Sequence, residues 1–156
     1  MFFSVCLILS AIAEPAAPVD SILVEAAGRT VVVRAADLAR LPRDSVRTKI
    51  HEGPSLLFSG VRLKDVLALA GVRTDSLRGP ALTQRVVAEA QDGYRIVFAL
   101  AELDPGLGGK HVLLVDQEDG KPLTAQYGPY RLVLVGETRP SRWIRQVTRL
   151  TVRAEP

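Results

Sequence analysis

Cysteine is almost absent from this sequence: the only one among 156 residues is Cys6, and it lies in an apolar N-terminal run. The rest of the chain can therefore form no disulfide and offers no thiolate to a metal. Histidine is also scarce, and His51 and His111 are too far apart in the sequence to indicate a zinc site. No G-x-S-x-G nucleophile motif occurs. These absences argue against a disulfide scaffold, a zinc domain and the familiar hydrolases, and they leave stability to a hydrophobic core.

A long apolar run occurs only at the start of the chain. The first thirteen residues, MFFSVCLILSAIA, end in an A-x-A pattern at Ala11 to Ala13, which is typical of a secretory signal peptide and too short for a membrane span. We expect a signal peptide over residues 1–13, a flexible Pro/Ala tail over 14–20 and one domain over 21–156. The sequence thus predicts a periplasmic or otherwise exported protein that is not embedded in a membrane.

Acidic and basic residues are nearly balanced in this sequence. Lys and Arg number 20 against 17 Asp and Glu, and the pI near 9.3 comes mainly from arginines spread along the chain. Nucleic-acid binding usually requires a basic stripe interleaved with aromatics, so we predict no nucleic-acid partner. A basic surface can still favour an anionic ligand.

The pattern of apolar residues predicts a mixed α+β domain in which strands dominate. Helical spacing is clear once, over about residues 61–70, where Gly71 is placed to end the helix. Asp92-Gly93 lies between two strand-like runs and predicts a β-hairpin. The polar stretch from Thr48 to Pro54 is predicted to be a loop, and Gln146 to Val152 is predicted to be the last strand.

The segment from Gly128 to Val152 organises the sequence. It reads GPYRLVLVGETRPSRWIRQVTRLTV and holds the only Trp, Trp143, close to several arginines. A flat aromatic side chain beside guanidinium groups suits a planar ligand with hydrogen-bond acceptors on its edge. The alternative is that Trp143 is a core residue and the arginines are solvated.

This segment resembles the end of the molybdopterin-binding domain of the sulfite oxidase family, in which a GP-x-R strand precedes a loop and a Trp-led strand. Three further stretches, in matching order, support the resemblance. They are FSGVRLKDVLALAGV from Phe58, AEAQDGYRIVFALAELDP from Ala88 and EDGKPLTAQYGPYRLVLVG from Glu118. The resemblance implies the sulfite oxidase fold and a pterin or molybdopterin-type ligand.

The chain also departs from the family. The family's enzymes ligate molybdenum through a cysteine that would fall near Arg47 to His51, and no cysteine stands there. The resemblance extends to small stand-alone periplasmic proteins that bind pterins and report to a signalling partner. We therefore expect a non-catalytic binding protein for a pterin or molybdopterin-related ligand, without a metal and with a membrane signalling or redox protein as its partner. Two alternatives stand beside this interpretation: a molybdopterin-dependent oxidoreductase with atypical metal ligation, and a protein-interaction module with an empty pocket.

The predicted ligand-binding residues combine aromatic rings with hydrogen-bonding groups. Trp143 and a tyrosine would stack on the ring, Arg131 with Arg142 or Arg139 would donate to its oxygens, and Glu102 would accept from its N–H edge. His51 lies in the loop predicted to line the pocket. The full set is Trp143, Arg131, Tyr130, Tyr127, Tyr94, Arg142, Arg139, His51 and Glu102.

Overall fold

The structure is a computed structural model that describes residues 20–50 and 52–154. The predicted signal peptide, nearly all of the tail and His51 lie outside the described residues. The strands are β1 Ser21–Ala26, β2 Arg29–Arg34, β3 Arg43–Lys49, β4 Ser55–Arg62, β5 Gln84–Ala90, β6 Arg95–Ala99, β7 Val112–Glu118, β8 Lys121–Pro122, β9 Arg131–Leu134 and β10 Val147–Ala154. The helices are α1 Ala35–Leu38 and α2 Leu63–Ala68, and 3₁₀ turns span Gly79–Thr83, Leu100–Leu103 and Pro140–Arg142.

The strands form two five-stranded sheets. The first has the order β2-β1-β10-β5-β6, in which β1 and β10 run parallel and the other neighbours are antiparallel. The second has the order β3-β4-β7-β8, and β9 also pairs with β7. Most pairs are thus hairpins or close neighbours, and only the β1–β10 pair joins the two ends of the described chain.

Buried side chains from both sheets form one hydrophobic cluster. Ile22 and Leu150 enter it from the first sheet, while Phe58, Leu113 and Leu132 enter it from the second, and none is more than 1% exposed. Burial of each such side chain contributes on the order of 2 kcal/mol relative to leaving it in water. The two sheets therefore share one core, as the α+β prediction requires.

The fold class is confirmed, and so are the hairpin at Asp92-Gly93 between β5 and β6 and the helix α2. The helix is shorter than predicted because Val61 and Arg62 belong to β4, where they pair with Leu114 and Leu113. It ends before Gly71, whose φ of 78° lies in the left-handed region that glycine adopts without strain.

The predicted loop from Thr48 to Pro54 is shorter in the structure. Thr48 and Lys49 belong to β3, which forms a hairpin with β4. The sequence RDSVRTK of β3 carries a single apolar residue, Val46, so the alternation that marks a half-buried strand is hidden. The strand forms because it pairs with β4 along its whole length, which no local pattern reveals.

Candidate functional site

The most unusual side chain of the molecule is the buried cation of Arg131. It is 6% exposed, and its Nε and Nη1 atoms have no hydrogen-bond partner within the described ranges. Its Cζ atom lies 4.8 Å from the ring centroid of Tyr127, 5.6 Å from that of Trp143 and 5.7 Å from that of Phe58. We call these four residues the arginine cage.

The sheet places Arg131 at the start of β9, where it pairs with Val115 of β7. A charge in an apolar strand ordinarily has a charged or hydrogen-bonding partner or reaches water, and the structure shows a third arrangement. The faces of aromatic rings carry partial negative charge, so they attract the guanidinium without accepting conventional hydrogen bonds. Burial lowers the pKa of Arg131, outweighing the opposing influence of Tyr127 and Glu118.

Trp143 lies in the loop between β9 and β10, and its ring forms one side of the cage. The residue is 8% exposed, its Nε1 donates to the carbonyl of Leu134 at 2.9 Å, and its ring meets Phe58 edge to face at 5.7 Å. The indole N–H is thus already used inside the protein. What Trp143 can still offer a ligand is the surface of its ring.

Tyr127 is the most accessible of the three aromatic residues. It is half-buried, whereas Phe58 and Trp143 are buried. The chain around it is held by hydrogen bonds from the Tyr127 and Gly128 amides to the Thr124 carbonyl, at 2.9 and 2.8 Å. A ligand that reaches Arg131 from solvent would therefore meet the side of Tyr127 first.

Arg142 and Glu102 lie together in a separate ion network. Arg142 contacts Glu102 at 3.5 Å and also pairs with Glu137, and Lys110 lies 3.0 Å from Glu102 and 3.3 Å from Glu137. Burial tends to raise the pKa of Glu102, but the bonds from Lys110, the Ala99 amide and Arg142 hold it below its ordinary value. Both residues already have partners, so the network fastens the 3₁₀ turn at residues 100–103 to the two loops nearby.

Tyr94 and Trp143 line a small cavity beside the segment that follows Pro140. The cavity measures about 250 Å³ and is also lined by Asp92, Ser141 and Arg145. Tyr94 is 51% exposed, and its hydroxyl donates to the Ser141 carbonyl at 2.9 Å. Trp143 thus belongs to the arginine cage and also lines this cavity.

The remaining predicted residues are dispersed. Tyr130 is buried, and its hydroxyl reaches only the carbonyl of Asp20 at 3.4 Å. Arg139 is exposed on the loop after β9, and His51 lies outside the described residues. The structure therefore brings together Arg131, Tyr127 and Trp143, with Tyr94 beside them, and keeps Glu102 and Arg142 in their own network.

Sequence reasoning missed two residues that shape this region. Phe58 was quoted only as part of a motif, although its ring completes the cage. Asp104 is 2% exposed and accepts the amides of Leu77 and Gly106, each at 2.7 Å, so it joins two loops. A carboxylate before Pro-Gly looks like an ordinary turn residue, and only its burial reveals the role.

Metal ligands do not converge in the described part of the chain, where no group of three or more His, Cys, Asp or Glu could hold an ion. His111 instead contacts Asp44 at 3.0 Å, and Arg62 donates to the same carboxylate at 2.6 Å. Those bonds lower the pKa of Asp44 against the effect of burial, the Arg62 bond being the strongest cause. His111 is thus a hydrogen-bonded surface residue.

The model of the oxidoreductase molybdopterin binding domain matches residues 52–156, about two thirds of the sequence. The chain belongs to this family. The match begins upstream of Phe58 and covers the arginine cage, the ion network and the cavity beside Tyr94. The family assignment made from the motifs is therefore confirmed.

Solved structures also resemble this molybdopterin-binding-domain protein. The crystal structure of the sulfane dehydrogenase SoxCD from Paracoccus pantotrophus matches with a TM-score of 0.66 and 21% sequence identity over 86% of this chain. The chain covers 39% of the matched chain of that enzyme. At this identity the likeness shows a shared fold. No curated protein sequence matches, and none of the helices in the described ranges is long and apolar enough to cross a membrane.

Proposed function

We propose that this molybdopterin-binding-domain protein binds a pterin or molybdopterin-related ligand at the arginine cage and carries out no reaction by itself. The observation that supports the proposal is Arg131, a buried cation with two donor nitrogens that lack partners in the described structure. A buried unpaired donor costs about 1–3 kcal/mol, so a ligand acceptor at this position would recover that energy. The family match supplies the class of ligand.

The chemistry of the cage suits a flat, electron-poor ring with acceptor atoms on one edge. Arg131 would donate from Nε and Nη1 in the fixed geometry of its guanidinium, and Tyr127 or Trp143 would offer a ring face for stacking. Among the residues described, no carboxylate forms an ion pair with the guanidinium, although Glu118 is near enough to raise the pKa of Arg131. Nε and Nη1 are therefore available to an acceptor on the ligand. Tyr127 would have to give way, because its ring now covers one face of Arg131.

The absence of a thiolate supports a binding role over catalysis. A soft sulfur ligand both holds and tunes such a metal centre. Around the expected position the chain has Arg47, Thr48, Lys49 and Ile50, and its sole cysteine is Cys6. Together with the A-x-A pattern at residues 11–13, this supports an exported protein that delivers or senses a pterin, with a signalling or redox protein as its partner.

One observation favours a second candidate, a molybdopterin-dependent oxidoreductase with unusual metal ligation. This observation is the family match itself, since the family is described as an oxidoreductase domain. A metal held without the thiolate would have to be bound by other groups, and His51 is the donor nearest the expected position in the sequence. The two candidates predict different contents for the purified protein.

The first experiment is to denature purified protein and assay the released material for pterin fluorescence and for molybdenum. Stoichiometric pterin without molybdenum would support the binding protein. Molybdenum together with pterin would replace the proposal with the oxidoreductase. If neither is found, the protein is titrated with pterin and with molybdopterin precursor while the emission of Trp143, its only tryptophan, is followed.

The titration has matched variants. Arg131→Gln should weaken pterin binding at least tenfold, because it removes the charge-assisted donors at the ligand. Arg40→Gln, at an exposed arginine of the segment after α1, should bind as the wild type does. Binding that is unchanged in Arg131→Gln would place the ligand elsewhere, and no binding at all would favour the protein-interaction module.

A further inference from the structure

Another cavity lies at the C-terminal ends of the parallel strands β1 and β10, and it shares no residue with the arginine cage. Its volume is about 760 Å³, within the range of roughly 300–1,000 Å³ that is usual for small-molecule sites. It lies between the β1–β2 turn, the end of α2, the segment leading to the first 3₁₀ turn, and the end of β10. The apolar side chains that line it are Ala26, Ala27, Ala70, Val72, Leu77, Ala81, Val152 and Ala154.

The charged side chains of this cavity are mainly basic. Arg73 and Arg78 line it, and the one lining carboxylate, Asp75, lies 3.6 Å from Arg73. Arg153 also borders it, but alternation along β10 places the Arg153 side chain with Arg149 and Thr151, at a cavity on the other face of the sheet. Arg78 is exposed and has no ion pair with another residue of the described ranges. The cavity therefore combines an apolar interior with a positive charge that is not neutralised by its own lining.

Residues 72–78 form one wall of the cavity, and buried contacts fix the position of this segment. Leu77 is buried, and its amide donates to the buried carboxylate of Asp104 at 2.7 Å. Thr74 is also buried, at 9% exposure. A wall that is fixed before a ligand arrives loses less conformational entropy on binding, which favours affinity.

We propose that this cavity binds a small amphipathic organic anion, with its apolar body against the lining alanines, Val72 and Leu77, and its carboxylate or phosphate-type group at Arg78. The volume excludes a bare inorganic ion as the natural occupant, since such an ion would leave the apolar lining in contact with water. The Arg78 guanidinium favours an acid over an alcohol or an amine of the same shape. This site shares no residue with the arginine cage, so it is independent of the proposed pterin site.

Sodium octanoate is a suitable probe, with 1-octanol as its uncharged counterpart. In an NMR titration of ¹⁵N-labelled protein, octanoate should shift the amides of Gly71, Gly79 and Ala154, which line or border the cavity. Octanoate should bind about tenfold more tightly than octanol, because it alone forms charge-assisted hydrogen bonds. Shifts confined to other regions, or equal affinities for the two probes, would overturn the proposal.

Two variants test the two halves of the site separately. The variant Arg78→Gln changes an exposed residue and should lower octanoate affinity about tenfold, to that of octanol. Ala81→Phe should fill the cavity and lower the affinity for both probes. Arg40→Gln serves as the surface control, and Arg131→Gln should bind octanoate as the wild type does while losing pterin. Octanoate affinity that is unchanged in Arg78→Gln would refute the assignment of the anionic group.

Discussion

Arg131 is placed where a charge is costly, and this makes its role testable by removal. Its burial lowers its own pKa, and two of its nitrogens lack partners among the described residues. The cation–π contacts with three rings offset part of the cost, at about 0.5–2 kcal/mol for a desolvated contact. This cost argues against a purely stabilising role for Arg131 and supports the ligand-binding role proposed above.

Replacing Arg131 with methionine should leave the free energy of unfolding unchanged or raise it by about 1–2 kcal/mol, because it removes a buried charge and keeps most of the volume. Urea denaturation at neutral pH measures this. The same change at Arg142 is the control, and it should destabilise the protein because it leaves the Glu137 carboxylate without its arginine. A loss of 2 kcal/mol or more in Arg131→Met would instead identify Arg131 as structural.

Asp104 differs from Arg131 because its buried carboxyl group has hydrogen-bond partners, the Leu77 and Gly106 amides. Asp104→Asn should lower the free energy of unfolding by about 1.5–3 kcal/mol, because an amide group cannot accept from both Leu77 and Gly106. The measurement is chemical denaturation, compared with Asp75→Asn at an exposed position. Equal stability of the two variants would show that the loop is held by other contacts.

Among the elements, the pair β4 and β7 sets the position of Phe58 in the cage. The strands approach closely at Gly60, where an added Cβ would lie 2.0 Å from the Leu114 carbonyl oxygen and 2.5 Å from the Val115 Cα. The pairing shifts register between Ser59 and Gly60. Only a residue without a side chain fits between these backbones.

Gly60→Ala should therefore destabilise the protein by about 3 kcal/mol or more, since backbone atoms cannot move aside as a flexible side chain can. Thermal unfolding followed by circular dichroism would show the loss. Ser59→Ala, one residue earlier on the same strand, should change stability by less than about 1 kcal/mol. A Gly60→Ala protein as stable as Ser59→Ala would mean that the strands separate easily at this point.

For the molecule as a whole, shifted pKa values predict how stability varies with pH. Asp44 and Glu102 have pKa values below their ordinary 3.8 and 4.5, so their contribution is complete above these values and is lost as the pH falls through the lower folded-state values. Burial, with smaller effects of Asp20 and Asp116, raises the pKa of Tyr130 above 10.0, so its contribution is complete below that pH and is lost as the pH rises further.

The melting temperature should accordingly be nearly level from about pH 5 to pH 9.5 and decline on both sides. Glu102→Gln should reduce the acid decline and Tyr130→Phe the alkaline one, each with little effect on the other. Differential scanning calorimetry across this range makes the test. If neither substitution alters its own side of the profile, other groups control the pH dependence.

The sequence alone determined the family, the α+β class, the hairpin at Asp92-Gly93 and the helix near residues 63–68, because these depend on local patterns and on motif order. It also indicated Trp143, Arg131 and Tyr127 as residues of one region, since they lie close together along the chain. The experiments above test the proposed ligand and the binding roles, and the export remains a prediction.

Only the tertiary structure decided how these residues meet and what they are free to do. Phe58 joins the cage through the pairing of β4 with β7, and Glu102 meets Arg142 across a distance in sequence that no local pattern spans. Burial of Arg131 and Asp104 depends on which surfaces the two sheets cover. Local periodicity reports the conformation of a segment, whereas contact and burial depend on how distant segments pack, and function at this site depends on the latter.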